Sequence, residues 1–413
     1  MSFSVGEVIA RADAVVTGLG HASSTLWQYR WAWSRVEVFC GEYDVAELTD
    51  EVVAGFLGWV AAEHGEGRIK EWKRKLLRKA MLVLSEVALT GTYTWKVTRG
   101  RHRNDGLTAV FGPVQEQFEQ WLTGQGVAPA TAALYATVSR KVLTWLPERG
   151  VVDVRRLSAG DVSAAVVFLG ASYSPGSMRT VLTALRVWCR FLEDTGRCAK
   201  LSPAVPAAHC RRVRTVVVLS ADDVELVVAS PDPATPVGRR DRAMLLLAAR
   251  TGLRPSDVAG LRLADIDWRQ TRITVTQHKT GTVLVLPLLA DVGAAIAEYL
   301  LSDRPVDALD DHVFLRAQAP HVGLGCSDLY HVAAGAFARA KTVTTSDTGR
   351  GMRVLRASLA TRMLQQDTPL PVISGALGHR GIDSAKHYLA GDEARMRQCC
   401  LDFAGIEPNR ARP

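Results

Sequence analysis

Two short runs past the middle of the chain constrain its fold more than any other feature. Arg272-Ile273-Thr274-Val275-Thr276 and Thr282-Val283-Leu284-Val285-Leu286 are rich in β-branched residues. Between them lies Gln277-His278-Lys279-Thr280-Gly281, so the pattern predicts an antiparallel hairpin with Lys279 near its tip. Elsewhere the apolar residues recur at three- and four-residue intervals, as in Leu182, Leu185, Cys189 and Leu192. That is the helical period. The expected fold is therefore mainly α, with one mixed α/β block of helices and a small antiparallel sheet.

The chain has 413 residues, enough for two or three domains, and 47% of them are hydrophobic, enough for real cores. Three blocks are expected: 1–98, 111–200 and 216–405. The linkers are 99–110 and 201–215. The first is polar and basic with two glycines, Gly100 and Gly106. The second holds Pro203 and Pro206, which lack the amide donor that regular structure needs.

The first two blocks read as distant copies of one helical bundle. Block one carries Ser24-Thr25, Tyr29, Leu48-Thr49 and Thr90-Gly91; block two carries Ala130-Thr131, Tyr135, Leu157-Ser158 and Thr195-Gly196. Each is expected to open a helix with a hydroxyl N-cap and to close one with glycine. In block three, helices are expected over Arg242–Ala249, over Ser256–Leu263 and from Asp291 onward.

Net charge is +8, and it is concentrated. Between Arg68 and Arg103 there are eleven Lys/Arg and two acids, a balance of +9 that leaves the rest near neutral. Localised cations suit a phosphate backbone, whose counterions they release; a solvated helix face is the plainer alternative. Lys70, Arg74 and Arg78 recur on one face of an expected helix from Lys70 to Leu89, with Leu77, Met81 and Leu84 on another. Arg101, Arg103, Arg179, Arg211, Arg212 and Arg214 complete the candidate DNA contacts. No apolar run reaches membrane-span length, and no basic segment followed by an apolar stretch opens the chain, so neither a spanning helix nor a signal peptide is expected. The seven cysteines include no Cys-x-x-Cys pair, and adjacent Cys399-Cys400 fit no common zinc spacing. A reducing cytoplasm is the expected compartment, and no cofactor or metal is expected.

The chemistry lies in an ordered series. Arg254 stands in Thr251-Gly252-Leu253-Arg254, Lys279 on the hairpin, Arg356 after Leu355, and His379 in Leu377-Gly378-His379. Tyr388 follows nine residues after His379. One phenol and four groups that can donate to an anion suit nucleophilic attack on a phosphodiester. Taken singly, each has a plainer reading: an ordinary turn, an exposed turn lysine, a structural histidine, a packed tyrosine. In this order and spacing, the series closely resembles the tyrosine recombinase (phage integrase) family, over about Leu219 to Phe403 and more loosely over block two.

The resemblance implies a C-terminal catalytic domain of the tyrosine recombinase type, preceded by helical DNA-binding domains. It implies Tyr388 as the nucleophile that forms a 3′-phosphotyrosine bond. Arg254, Arg356 and His379 would stabilise charge on the phosphate oxygens, and Lys279 would protonate the departing 5′ oxygen. Arg353 stands where the family usually has histidine, and Ala357 where it often has another. Arg353 can donate to phosphate but is a poor proton acceptor. Its place on the helical face of Arg356, three residues on, is expected to bring both to the site, and Leu355, Leu359 and Met363 are expected to form the buried stripe.

The implied partner is double-stranded DNA with specific recombination sites. The implied assembly is a homo-tetramer, with related recombinases or accessory proteins as possible further partners. Integration, excision or transposition of a mobile element is the implied role. Three readings stay open: a type IB topoisomerase-like enzyme, a catalytically impaired recombinase-derived DNA-binding protein, and a metal nuclease using Asp257, Asp265 and Asp267. Those aspartates fit helix capping and a turn equally well. The tail with Met396 and Leu401-Asp402-Phe403 would dock on a neighbour or on its own domain, and His387 reads as structural.

Overall fold

The computed structural model describes residues 4–93, 95, 107, 110–207, 217–341, 351–379, 381 and 388. Two compact units emerge, one of residues 96–213 and one combining 1–95 with 214–413. Residues 342–350, Cys399-Cys400, His387, the tail beyond Tyr388, and Arg101, Arg103, Arg211, Arg212 and Arg214 lie outside the described residues.

In the larger unit, residues up to 95 build α1 (Val5–Gly18), α2 (Ser23–Glu42), α3 (Asp50–Gly65) and α4 (Glu71–Thr90). Their apolar faces meet around Trp33, Phe56, Met81 and Leu84, and the Trp33 indole donates to the Ala80 carbonyl at 3.1 Å. Expectation and structure differ at the helix starts. Ala22 precedes α2 with no side-chain cap, so Ser24 and Thr25 lie inside the helix; Thr49 does cap α3 by accepting from Val52. Gly91 closes α4 at φ 72°, a left-handed turn that suits glycine.

The smaller unit is also helical. It contains α5 (Phe111–Gly124), α6 (Pro129–Trp145), α7 (Ala159–Ser172) and α8 (Pro175–Asp194), packed around Phe118, Leu143, Trp188 and Phe191. Ala128 precedes α6 without a cap, which corrects the reading of Thr131, and Ser158 opens α7 in a capping box with Asp161. The expected second linker does not begin at 201. Leu201 and Val205 are buried in this core, and the Glu193 carboxylate accepts from the Leu201 and Ser202 amides at 2.6 Å each. Arg186 donates to the Val205 and Pro206 carbonyls. The prolines here mark a packed turn.

From residue 217 the chain is mixed. Its elements are α9 (Ala221–Ala229), α10 (Pro236–Thr251), α11 (Pro255–Ala259), β1 (Ile266–Asp267), β2 (Arg272–Thr276) and β3 (Val283–Pro287). There follow α12 (Ala290–Ser302), α13 (Cys326–Ala340), α14 (Met352–Gln365) and α15 (Leu370–Ala376). The sheet is antiparallel in the order β1-β2-β3, and Thr276 pairs with Val283, so the hairpin turns where the sequence predicts. Alternation holds: Ile273, Val275, Leu284 and Leu286 face the core while Val283 and Val285 stay exposed. The helix expected over Ser256–Leu263 is shorter, because Gly260 ends α11. Two of α10's successive leucine-rich turns are buried on every side, which makes it the central helix of this core.

One ion pair ties α10 to the end of α12. Arg239 donates to both Asp303 oxygens at 2.5 and 2.6 Å, and the Asp303 side chain is only 3% exposed. The Arg239 hydrogen bonds hold that carboxyl below its ordinary pKa. Asp303→Ala should therefore destabilise the protein by removing this two-bond ion pair, although Arg239 keeps the Pro233 carbonyl and contact with solvent. Because the folded pKa is depressed, the difference from wild type should be full above the ordinary carboxylate range. It should shrink as pH falls through the folded pKa. Urea unfolding across an acid series measures this, and a difference that grows with acidity would contradict it.

Candidate active site

The site is built where three turns converge. Gly252, at φ 66°, ends α10, and Arg254 immediately caps the start of α11. The β2–β3 loop supplies Gln277 to Thr282. Gly378, at φ 62°, turns the chain after α15 and delivers His379. Both glycines are required by space as well as by backbone. A Cβ on Gly252 would stand 2.6 Å from Leu377 Cδ2, and one on Gly378 would stand 2.4 Å from Gln277 Oε1.

Arg356 is the centre of the cluster. It projects from α14 and is 7% exposed. Its Nη1 donates to the Gly252 carbonyl at 2.6 Å, and its Nη2 donates to the Leu377 carbonyl at 2.9 Å. Nη2 also lies 2.7 Å from His379 Nε2. A guanidinium cannot accept, so in this state Nε2 is the acceptor and the ring proton belongs on Nδ1. Burial pulls the Arg356 pKa down, while Tyr388, hydrogen-bonded to it, acts in the opposite direction. An arginine stays charged through any such shift.

Tyr388 is 5% exposed and packs with Ala357, Ala360, Leu364, Ile373 and Leu377. Its ring lies 6.0 Å from that of His379, nearly parallel at 17°. The phenol therefore sits beside a fixed cation and an imidazole, inside an apolar wall.

Arg254 completes the group. Its Nη1 donates to Gln277 Oε1 at 2.6 Å, its Nη2 reaches the Gly378 carbonyl at 3.4 Å, and Asp257 Oδ2 lies 3.8 Å away. The Asp257 carboxyl is buried, and its other oxygen accepts from the His278 amide at 3.0 Å, so it ties α11 to the hairpin. Sequence reading had given Asp257 only as a cap or metal ligand, and it did not single out Gln277. The signal lay in plain view: Gln277 follows a strand and precedes the hairpin lysine by two residues.

The remaining candidates are more exposed. Lys279 is exposed on the hairpin turn. Arg353 is exposed on the first turn of α14, whereas Arg356, three residues on, is buried. The expected stripe is corrected, since Leu359 and Met363 are only partly buried, while Val354, Leu355, Ala357, Ser358, Ala360 and Thr361 are buried. α14 is enclosed nearly all round. Asp265 caps the Arg262 amide at 2.8 Å and Asp267 accepts from Arg269 and Gln270, so both serve local turns.

Among the candidate DNA contacts, Lys70 is exposed at the start of α4, and Arg74 is paired with Glu71 through two bonds of 2.6 and 2.8 Å. The row of cations is therefore partly neutralised from within. Arg78 is half-buried in α4, and Arg179 is exposed on α8.

Gly378→Ala is the simplest test of this geometry. The left-handed backbone alone costs about 1–2 kcal/mol, and the added carbon displaces Gln277. Chemical denaturation should show the loss of stability. A variant as stable as wild type would mean the turn is wrongly placed.

Helices around a three-stranded antiparallel sheet, with these turns converging on a buried arginine and tyrosine, make a tyrosine recombinase-type catalytic domain. The sequence pattern of the phage integrase family matches residues 217–395. The protein y4rA of Sinorhizobium fredii, which carries an integrase/recombinase name, is 33% identical over 302 residues, covering 72% of this chain and 72% of that protein. Tyrosine recombinase XerC 2 of Ralstonia nicotianae is 29% identical over 264 residues, 60% of this chain and 73% of its own length. The crystal structure of XerH site-specific recombinase bound to palindromic difH substrate, a post-cleavage complex, superposes with a TM-score of 0.53 at 15% identity. It covers 71% of this chain and 84% of XerH. The chain belongs to the phage integrase family. No helix among the described residues is long and apolar enough to cross a membrane.

Proposed function

We propose that this protein is a site-specific DNA recombinase that cuts and rejoins strands through a 3′-phosphotyrosine intermediate. The observation that carries this is the placement of Tyr388, hydrogen-bonded to Arg356 and stacked on His379. The Tyr388 oxygen attacks the scissile phosphorus. As its proton passes to solvent water, negative charge on the oxygen develops beside the Arg356 guanidinium. Arg254, Arg356 and His379 stabilise the non-bridging oxygens, and for this His379 must give up its bond with Arg356 and turn a protonated ring nitrogen to the phosphate. Lys279, exposed on its hairpin, reaches the leaving 5′ oxygen and protonates it. The covalent bond keeps the energy of the broken linkage, so the 5′ hydroxyl of either strand can reverse it.

The two helical segments before the catalytic domain, 1–98 and 111–200, serve as DNA-binding domains in this reading, and their parallel helix lengths support descent from one unit. Each begins with a 14-residue helix and ends with a 20-residue one. Lys70, Arg74, Arg78, Arg179 and the arginines of 101–103 and 211–214 contact the backbone. Cleavage of two duplexes calls for four copies, and mobilising a genetic element is the role that fits. Arg353, turned outward, serves phosphate contact rather than proton transfer.

The test is a covalent trap. The protein is expressed beside its native flanking DNA, denatured and recovered, and any attached DNA is sequenced. Attached DNA with one common junction establishes the chemistry and gives the site. Folded, DNA-bound protein that carries no attached strand would reject the reading.

A further inference from the structure

We propose that Gln277 is a positioning residue for strand cleavage, holding Arg254 and the His379 turn in one rigid frame. The proposal rests on the phosphotyrosine reading above. Gln277 is fully buried, at 0% exposure. Its Oε1 accepts from Arg254 Nη1 at 2.6 Å and from Thr280 Oγ1 at 2.8 Å. Its Nε2 donates to the Leu377 carbonyl at 3.1 Å. Its own amide donates to Thr282 and its carbonyl accepts from Gly281, closing the loop that bears Lys279. One residue thus joins the segments carrying Arg254, Lys279 and His379.

The chemistry of those partners singles out a carboxamide. An arginine can only donate and a carbonyl can only accept, so a single side chain bridging them needs an acceptor and a donor on one group. That requirement also fixes which end of the amide is oxygen. Asparagine is one carbon shorter. Glutamate, when ionised, would set an oxygen against the Leu377 carbonyl. Methionine fills similar space with neither function. Gly378 permits the approach, since any Cβ there would overlap the carboxamide. By engaging Nη1 from the protein side, Gln277 fixes the guanidinium plane and leaves other donors of Arg254 to the phosphate.

The test is a double-mutant comparison on a duplex carrying the trapped site. It reads single-turnover formation of the covalent complex, DNA affinity by titration, and thermal unfolding. Gln277→Met should slow covalent-complex formation by about 30-fold, since small misplacement of a charge-stabilising group is expensive in rate. Affinity should stay within about 3-fold, as uniform binding is hardly touched. In an Arg254→Ala chain the same substitution should cost less, about 5-fold, because the Arg254 half of its role is gone and the His379 half remains. An equal loss with and without Arg254, or no loss with Arg254 present, overturns the proposal.

Gln277→Glu keeps the result from depending on one variant's folding. It should be slow at neutral pH and recover relative to wild type as pH falls, when a protonated carboxyl again offers a donor to Leu377. A ratio independent of pH overturns the proposal. Wild type that traps no DNA at all would instead overturn the phosphotyrosine reading on which this one stands.

Discussion

Tyr388→Phe should leave a folded protein that binds its DNA and never becomes attached to it. The substitution removes one oxygen and keeps the ring that packs against Ala357, Ile373 and Leu377. The hydroxyl's bond to Arg356 is lost, but Arg356 keeps the Gly252 and Leu377 carbonyls, so the cation is not stranded. Stability should change by no more than about 1 kcal/mol, the worth of one hydrogen bond. The covalent product should fall below detection, because no other oxygen occupies that position. Gel shift and denaturing electrophoresis on the same labelled duplex measure both halves. A Phe variant that still forms a denaturation-resistant complex would move the nucleophile elsewhere. One that loses binding and fold together would make Tyr388 a packing residue.

Arg356→Lys should be nearly as severe. Charge is conserved, but a lysine ammonium is a single point where the guanidinium is a planar fork. Arg356 meets Gly252 with one nitrogen and Leu377 and His379 with the other. Lysine can serve one side or the other, and it must do so in a buried place where unmet partners are costly. Losing an oriented donor at the point where charge develops costs about 100- to 1,000-fold in rate. Single-turnover cleavage at saturating DNA is the measurement, since it separates rate from affinity. A reduction of less than about 10-fold would show that charge alone, without the fork, suffices there.

What could be read from the sequence divides along a physical line. The hairpin was legible, since β-branched alternation on both sides of Lys279 is a local signal, and the register follows it. Arg254 and His379 stand in short runs of their own and Tyr388 at a set spacing after His379, local signals that name residues the structure brings together around Arg356. Gln277 was not, because what defines it are partners 23 and 100 residues away, Arg254 and Leu377. The unequal burial of Arg353 and Arg356 was not legible for a related reason: spacing three apart sets a shared face, and only the packing around α14 decides that Arg356 is buried while Arg353 meets solvent. The linker after 200 failed on energetics. Prolines at 203 and 206 signal an end to helix, but they say nothing of Leu201 and Val205, which anchor the same stretch in the core. Hydroxyl caps were over-read at Ser24, Thr25 and Thr131, where an alanine precedes the helix instead.

The Gly252 and Leu377 carbonyls, which hold Arg356 from opposite sides, have a thermodynamic consequence. A free arginine side chain carries roughly 2 kcal/mol of rotamer entropy. In this protein that freedom is given up on folding, at two backbone oxygens whose own positions are set by left-handed glycine turns. A duplex therefore meets a guanidinium that has no search left to make. The entropy of binding should carry little ordering penalty from the site's centre. Whatever entropy is lost on association must come from the exposed Lys279 hairpin and the DNA instead.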